Sequence, residues 1–170
     1  KTALGVAQAA KGRQRVVGLT SPTNREFCER TGYYDQVLGY DEVAAVTGNA
    51  IAFIDFSGHG DVRRDVHTLL GARLIESHVV GDTHWQSPNS NDLPGPTPQL
   101  FFAPTVAQDR VAEWGPAGFD QRLAAAWGRF AVTLGWLGIA RIDGEAAVAA
   151  AWADLVAGRI DPAVGIIARL

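Results

Sequence analysis

The run Thr20-Ser21-Pro22-Thr23-Asn24-Arg25 places three hydroxyls and a guanidinium close together, with no acid until Glu26. A phosphate dianion accepts hydrogen bonds from such groups, and an arginine adds a charge-assisted, two-pronged contact. In dinucleotide sites an acid at the end of the second strand binds the ribose diol of NAD, whereas small hydroxyls and an arginine suit the 2′-phosphate of NADP. An ordinary capped helix with a solvated arginine has the same residues. The turn alone leaves both readings open.

The other reactive side chains point to less. His59, His67, His78 and His84 show neither an HExxH motif nor close His/Cys spacing, and Cys28 is the single cysteine. This predicts no bound zinc and no internal disulfide. His84-Trp85 follows a predicted strand end, where the substrate of an α/β protein lies, and is a candidate for catalysis. Asp55 stands at a strand end like a phospho-acceptor, but the paired upstream acids and later lysine of a receiver domain are not seen. No tyrosine has a lysine four residues later, as a short-chain dehydrogenase would need.

These residues must be held by alternating elements. Thr2 to Lys11 reads as a helix closed by Gly12, and Arg15 to Thr20 as a strand. Ser21-Pro22 then supplies a cap and first-turn proline for a helix running towards Gly32. Gln36 to Tyr40 is the next strand, with a short helical piece to Thr47. Ala50 to Phe56 is a continuous apolar run, predicted to be a strand buried on both faces. From Asp61, read as a cap, Val62, Val66, Leu69 and Leu70 recur at helical spacing, and Arg73 to Val80 makes a further strand. Gln86 to Pro98 is a polar, Pro/Gly-rich loop. Beyond it, Thr105 with Gln108 suggests a capping box, a second helix starts at Phe119, and Asp143 caps a third. Trp127, Trp152 and Leu155 are expected to face the core, and Gly165 to Leu170 is the last strand.

Strands alternating with helices predict an α/β fold with a doubly wound, mainly parallel sheet. A chain of 170 residues, 47% hydrophobic, fits one domain. Its net charge of -3 offers no basic surface for nucleic acid. No apolar stretch is long enough for a membrane span. The lone cysteine suggests a reducing, cytoplasmic home, and a homodimer is allowed. The abrupt start at Lys1, without Met, is read as an N-terminal truncation.

GLTSPTNREFCERTGYYDQVLGYDEV resembles the corresponding stretch of zinc-independent quinone oxidoreductases, in the medium-chain dehydrogenase/reductase superfamily. FIDFSG, IESHVVG and LVAGRIDPAVGIIARL resemble later landmarks of that superfamily in order. KTALG, THW, PGPTPQLFFAP and EWGPAGF narrow the resemblance to medium-chain-reductase-like proteins grouped under a domain of unknown function. The resemblance implies that residues 1–170 are a Rossmann-like NADP(H)-binding domain lacking its first strand, with the barrel-like catalytic domain absent. It implies that Ser21, Arg25 and Tyr40 surround the adenosine 2′-phosphate, with Thr20 at the same strand end counted among the cofactor-binding residues, that Ser57 and Gly58 lie beside the ribose, and Val80 and Gly81 near the nicotinamide. Lys1 and Thr2 would begin the helix facing the pyrophosphate. The expected activity is hydride transfer between NADPH and a small carbonyl or activated-alkene substrate, with no proton donor evident. The alternatives are a non-catalytic nucleotide-binding module and a methyltransferase, whose ribose contact favours an acidic strand end that Thr20-Ser21 does not provide. A missing first strand would leave an unfilled position between the Arg15 to Thr20 and Ala50 to Phe56 strands.

Overall fold

A computed structural model describes residues 1–81 and 93–170. In chain order the elements are α1 (Thr2–Ala10), β1 (Val17–Thr20), α2 (Pro22–Thr31), β2 (Gln36–Gly39), β3 (Ile51–Asp55), α3 (Gly60–Leu70), β4 (Leu74–Val79), β5 (Gln99–Leu100), α4 (Ala103–Ala131), β6 (Gly138–Asp143), α5 (Glu145–Val156) and β7 (Val164–Arg169). A 3-10 turn, Tyr40–Ala45, follows β2. Every strand pairing among the described residues is parallel. Parallel neighbours cannot be joined by a tight hairpin, which is why helices or longer excursions separate them. The chain is therefore a mixed α/β protein with parallel sheets.

Local chemistry sets the boundaries of the elements around the site. Ser21 is extended and Pro22 opens α2, where its fixed φ suits a helix and its missing N–H goes unneeded. The helix stops at Gly32, whose φ of 67° is left-handed and cheap only for glycine. In α3, Val62, Val66 and Leu70 recur every four residues and are buried.

Two apolar clusters hold the molecule together. One joins Leu38, Val43 and Val46 to Val62, Val66 and Leu70 of α3 and to Leu74, with Val17, Leu19, Ile51 and Phe53 packed on it. The other joins Leu4 and Ala7 of α1 to Phe27 and Tyr33, with Phe130 and Trp136 against it. The edge of Trp136 meets Phe27 at 5.2 Å between centroids. Its Nε1–H donates to the Tyr33 hydroxyl at 2.9 Å, which lies 3.0 Å from the Thr133 carbonyl.

The strands fall into three sheets, β1-β2, β3-β4-β5 and β6-β7. Among the described residues β1 pairs only with β2, and β3 only with β4, so β1 and β3 stand in separate sheets. Arg15, just before β1, donates to the Thr47 carbonyl and hydroxyl, just before β3. At the opposite end Tyr40, directly after β2, lies against His59, just past β3, at 6.4 Å. Strands β1, β2 and β3 therefore run the same way and end on the same side.

Several expectations need correction. The β3 run is covered on one face only: Ile51 and Phe53 pack on the core, while Ala52 and Ile54 are exposed. Their face opens onto a cleft instead of a packed layer. The helix expected to start at a capping Asp61 begins at Gly60 with His59 as its cap, and Asp61 sits in its first turn. Thr105 likewise lies inside α4, whose cap is Phe102, and α5 is capped by Gly144 because Asp143 still belongs to β6. The helices expected from Thr105 and Phe119 form one run, broken at Gly115, whose φ of 70° and ψ of 162° are non-helical, before Pro116. Trp127, Trp152 and Leu155 are exposed rather than inward, because α4, α5, β6 and β7 contain no buried residue.

Candidate functional site

The carboxyl end of β3 is organised by Asp55. Its Oδ1 accepts from the Ser57 amide and hydroxyl at 2.9 and 3.0 Å, and from the Gly58 amide at 2.9 Å. Its Oδ2 accepts from Nε and Nη2 of Arg63 at 3.0 and 2.8 Å. Both partners are buried, Asp55 at 3% exposure and Arg63 at 7%. A buried carboxylate is tolerated when its lone pairs are filled and a cation faces it, and both conditions hold here. The turn runs from strand to helix because Gly58 takes a φ of 68°, and Arg63 reaches back from the first turn of α3.

The same residue draws in the end of β4. The Asp55 carbonyl accepts from the amides of Val80 and Gly81 at 2.8 and 3.2 Å. The chain approaches so closely that a Cβ on Gly81 would stand 2.1 Å from the Phe56 carbonyl oxygen. Ser57, Gly58, Val80 and Gly81, singled out separately in the sequence, thus meet around Asp55, the first two at its carboxylate and the last two at its backbone carbonyl. Arg63, and the anchoring role of Asp55, are what the sequence reading missed; the signal was an acid ending an apolar strand directly before Ser-Gly, with an arginine eight residues on.

At the end of β1, Ser21 caps α2 without a side-chain bond to its backbone, and Thr2 begins α1. Arg25 is turned elsewhere. Its Nη1 donates to Glu42 at 2.6 Å, its Nε lies 3.4 Å from Glu29, and its Nη2 donates to the Val37 carbonyl at 3.2 Å. The Gly39 amide also donates to Glu42, and this bond, with Arg25, holds the carboxyl below its usual range. Lys1 is likewise engaged, donating to the carbonyls of Pro162 and Val164 at 2.7 and 3.2 Å.

One cleft of about 570 Å³ collects the strand ends. Lys1, Thr20, Tyr40 and Ser57 line it, together with Asn24 and Asp55. Burial, reinforced by Asp55, pushes the Tyr40 phenol above its ordinary pKa. Burial also raises the Cys28 thiol, and pushes Tyr34 up to about 12. This wall of the cleft therefore stays protonated and uncharged at neutral pH.

The sequence profile of a family described as Protein of unknown function (DUF2855) matches residues 1–161. The chain belongs to that family. No curated protein and no solved structure matches it.

The remaining histidines of this DUF2855 member have structural surroundings. His67 is fully buried, with Nδ1 2.9 Å from the Pro94 carbonyl and Nε2 2.9 Å from the Ser77 hydroxyl. A carbonyl only accepts, so Nδ1 carries the proton. His78 lies 3.2 Å from Glu76. Among the described residues no group of three metal-ligating side chains converges, and no helix is long and apolar enough to cross a membrane. The candidate pair His84-Trp85 lies outside the described residues.

Proposed function

We propose that this chain is a Rossmann-like NADP(H)-binding unit of an oxidoreductase related to the zinc-independent medium-chain reductases. One observation carries the reading. Strands β1, β2 and β3 run the same way and end on one cleft, where Thr20, Tyr40 and the Asp55-Ser57 turn stand together. Ligands of open parallel sheets lie beyond the carboxyl ends of the strands, at the break between neighbouring halves.

The residues fit a dinucleotide in kind. The hydroxyls of Thr20 and Ser21 suit a ribose, the Ser57-Gly58 turn is fixed by Asp55, and Gly81 keeps the backbone beside that turn. The bound nicotinamide supplies the hydride chemistry, and this chain's residues orient it and exclude water. The substrate is a small carbonyl or activated alkene, and the compartment is the cytoplasm.

Arg25 makes the reading testable, because a 2′-phosphate would have to draw its guanidinium away from Glu42. We expect NADPH to bind more tightly than NADH, measured by titration of the intact protein. Arg25→Ala should remove that preference, a loss on the order of tenfold. Glu42→Gln keeps an acceptor for the Gly39 amide but removes the closest charge holding the arginine, and should strengthen NADPH binding while leaving NADH unchanged. Equal affinity for both cofactors, untouched by either substitution, would refute the assignment. Binding of NADPH without turnover of any carbonyl or alkene would favour a non-catalytic nucleotide-binding module.

A further inference from the structure

At the end of β1 the residues that border the cleft are not those on which a phosphate contact relies. Thr20, Asn24 and Cys28 line it, whereas Ser21 and Arg25 do not. Asn24 and Cys28 stand four residues apart on one face of α2, directly after the strand end. Tyr40 and Asp55, at the ends of β2 and β3, border the same space. Asp55 already has both oxygens filled by Ser57, Gly58 and Arg63. Burial keeps the Cys28 thiol and the Tyr40 phenol protonated. Asn24 is half-buried, and its carboxamide makes no hydrogen bond among the described residues.

We propose that Asn24 reads the adenosine ribose, its carbonyl accepting from one hydroxyl and its amino group donating to the oxygen of the next. The inference rests on the dinucleotide reading above and divides the work of the α2 turn between two neighbours. A carboxamide offers an acceptor and two donors without charge, and each hydroxyl of a sugar both donates and accepts, so a vicinal diol can use both ends of the amide. A phosphate dianion only accepts and calls for a cation, and the cation of this turn, Arg25, is held by Glu42 and the Val37 carbonyl. Where a dinucleotide site carries an acid, the carboxylate accepts from both ribose hydroxyls and repels a 2′-phosphate. An amide keeps one such acceptor and drops the charge. Asn24 therefore bonds the sugar of either cofactor, and Arg25 answers only to the added phosphate.

The test titrates the intact protein with ADP and 2′-deoxy-ADP, and then with NADH and NADPH. ADP should bind more tightly than its deoxy form by about threefold to tenfold, the range of one neutral hydrogen bond. Asn24→Ala should erase that difference, whereas Arg25→Ala should leave it untouched. Asn24→Asp restores the acid of an NAD site, and should shift the ratio of affinities towards NADH on the order of tenfold. The proposal fails if the parent binds ADP and 2′-deoxy-ADP equally, if Asn24→Ala keeps the difference, or if Asn24→Asp leaves the NADH to NADPH ratio unmoved. It fails equally if Asn24→Ala loosens NADPH alone, which would make Asn24 a phosphate contact. A ribose discrimination that depends on Asn24 in a protein with no preference for NADPH would sink the role given to Arg25 and leave this one standing. Binding of none of the four nucleotides would overturn both.

Discussion

At the scale of single residues, the Asp55–Arg63 pair decides more than any side chain of the Ser21 turn. Asp55 fixes the Ser57-Gly58 turn through one oxygen and neutralises a buried guanidinium through the other. Asp55→Asn keeps the shape but takes the charged acceptor away from Nε and Nη2 of the buried Arg63. Removing one partner of such a pair costs about 3 to 5 kcal/mol, so the denaturation midpoint should fall markedly; an unchanged midpoint would show that the pair is more solvated than it stands here. The acid was visible in the sequence, but its role was not. A lone aspartate ending a strand fits a reactive group or an anchor equally well, and only the arginine eight residues later, brought round by α3, decides between them. Arg25 shows the converse. Its neighbourhood in sequence advertises a phosphate site, yet the acid that holds it most closely, Glu42, comes from a separate element, and Glu29 of its own helix adds a weaker contact.

At the scale of elements, what the sequence made legible was local. The caps at Ser21 and Gly32, the α3 periodicity and the parallel order of the strands all follow from chemistry within a few residues of each boundary. Where coverage by distant chain decides the outcome, reading fails: β3 has the composition of a strand buried on both faces, yet one face is open. The junction of β3 and β4 is also a long-range matter, since Gly81 passes Phe56 with no room for a side chain. Gly81→Ala should destabilise the protein by about 1 to 3 kcal/mol, the usual cost of forcing an extra methyl into packed structure. It should also displace Ser57, so thermal unfolding and nucleotide titration read the same substitution independently. If neither changes, the two strand ends are not joined as described.

For the whole molecule, the two halves of the chain differ in cover. The clusters around α1, α2 and α3 are closed, whereas Trp127 and Trp152 stand at 61% and 67% exposure on helices with no buried residue. Aromatic surface of this extent on two helices is unusual for a solitary monomer. At high dilution, emission from Trp127 and Trp152 should be red-shifted and readily quenched by iodide, which single Trp→Phe variants would resolve. A blue shift that grows with protein concentration would mark self-association through these helices, and protection at every dilution would contradict the exposed arrangement.

The break between β1 and β3 has a thermal consequence. Within a continuous sheet neighbouring halves are tied by hydrogen bonds, whose strength changes little with temperature. Here the β1-β2 sheet and the β3-β4-β5 sheet share the apolar cluster of Leu38, Val43, Val62 and Val66. Apolar association draws on the ordering of water and weakens as water cools. Cooling should therefore loosen the contact between the two sheets on which the cleft depends.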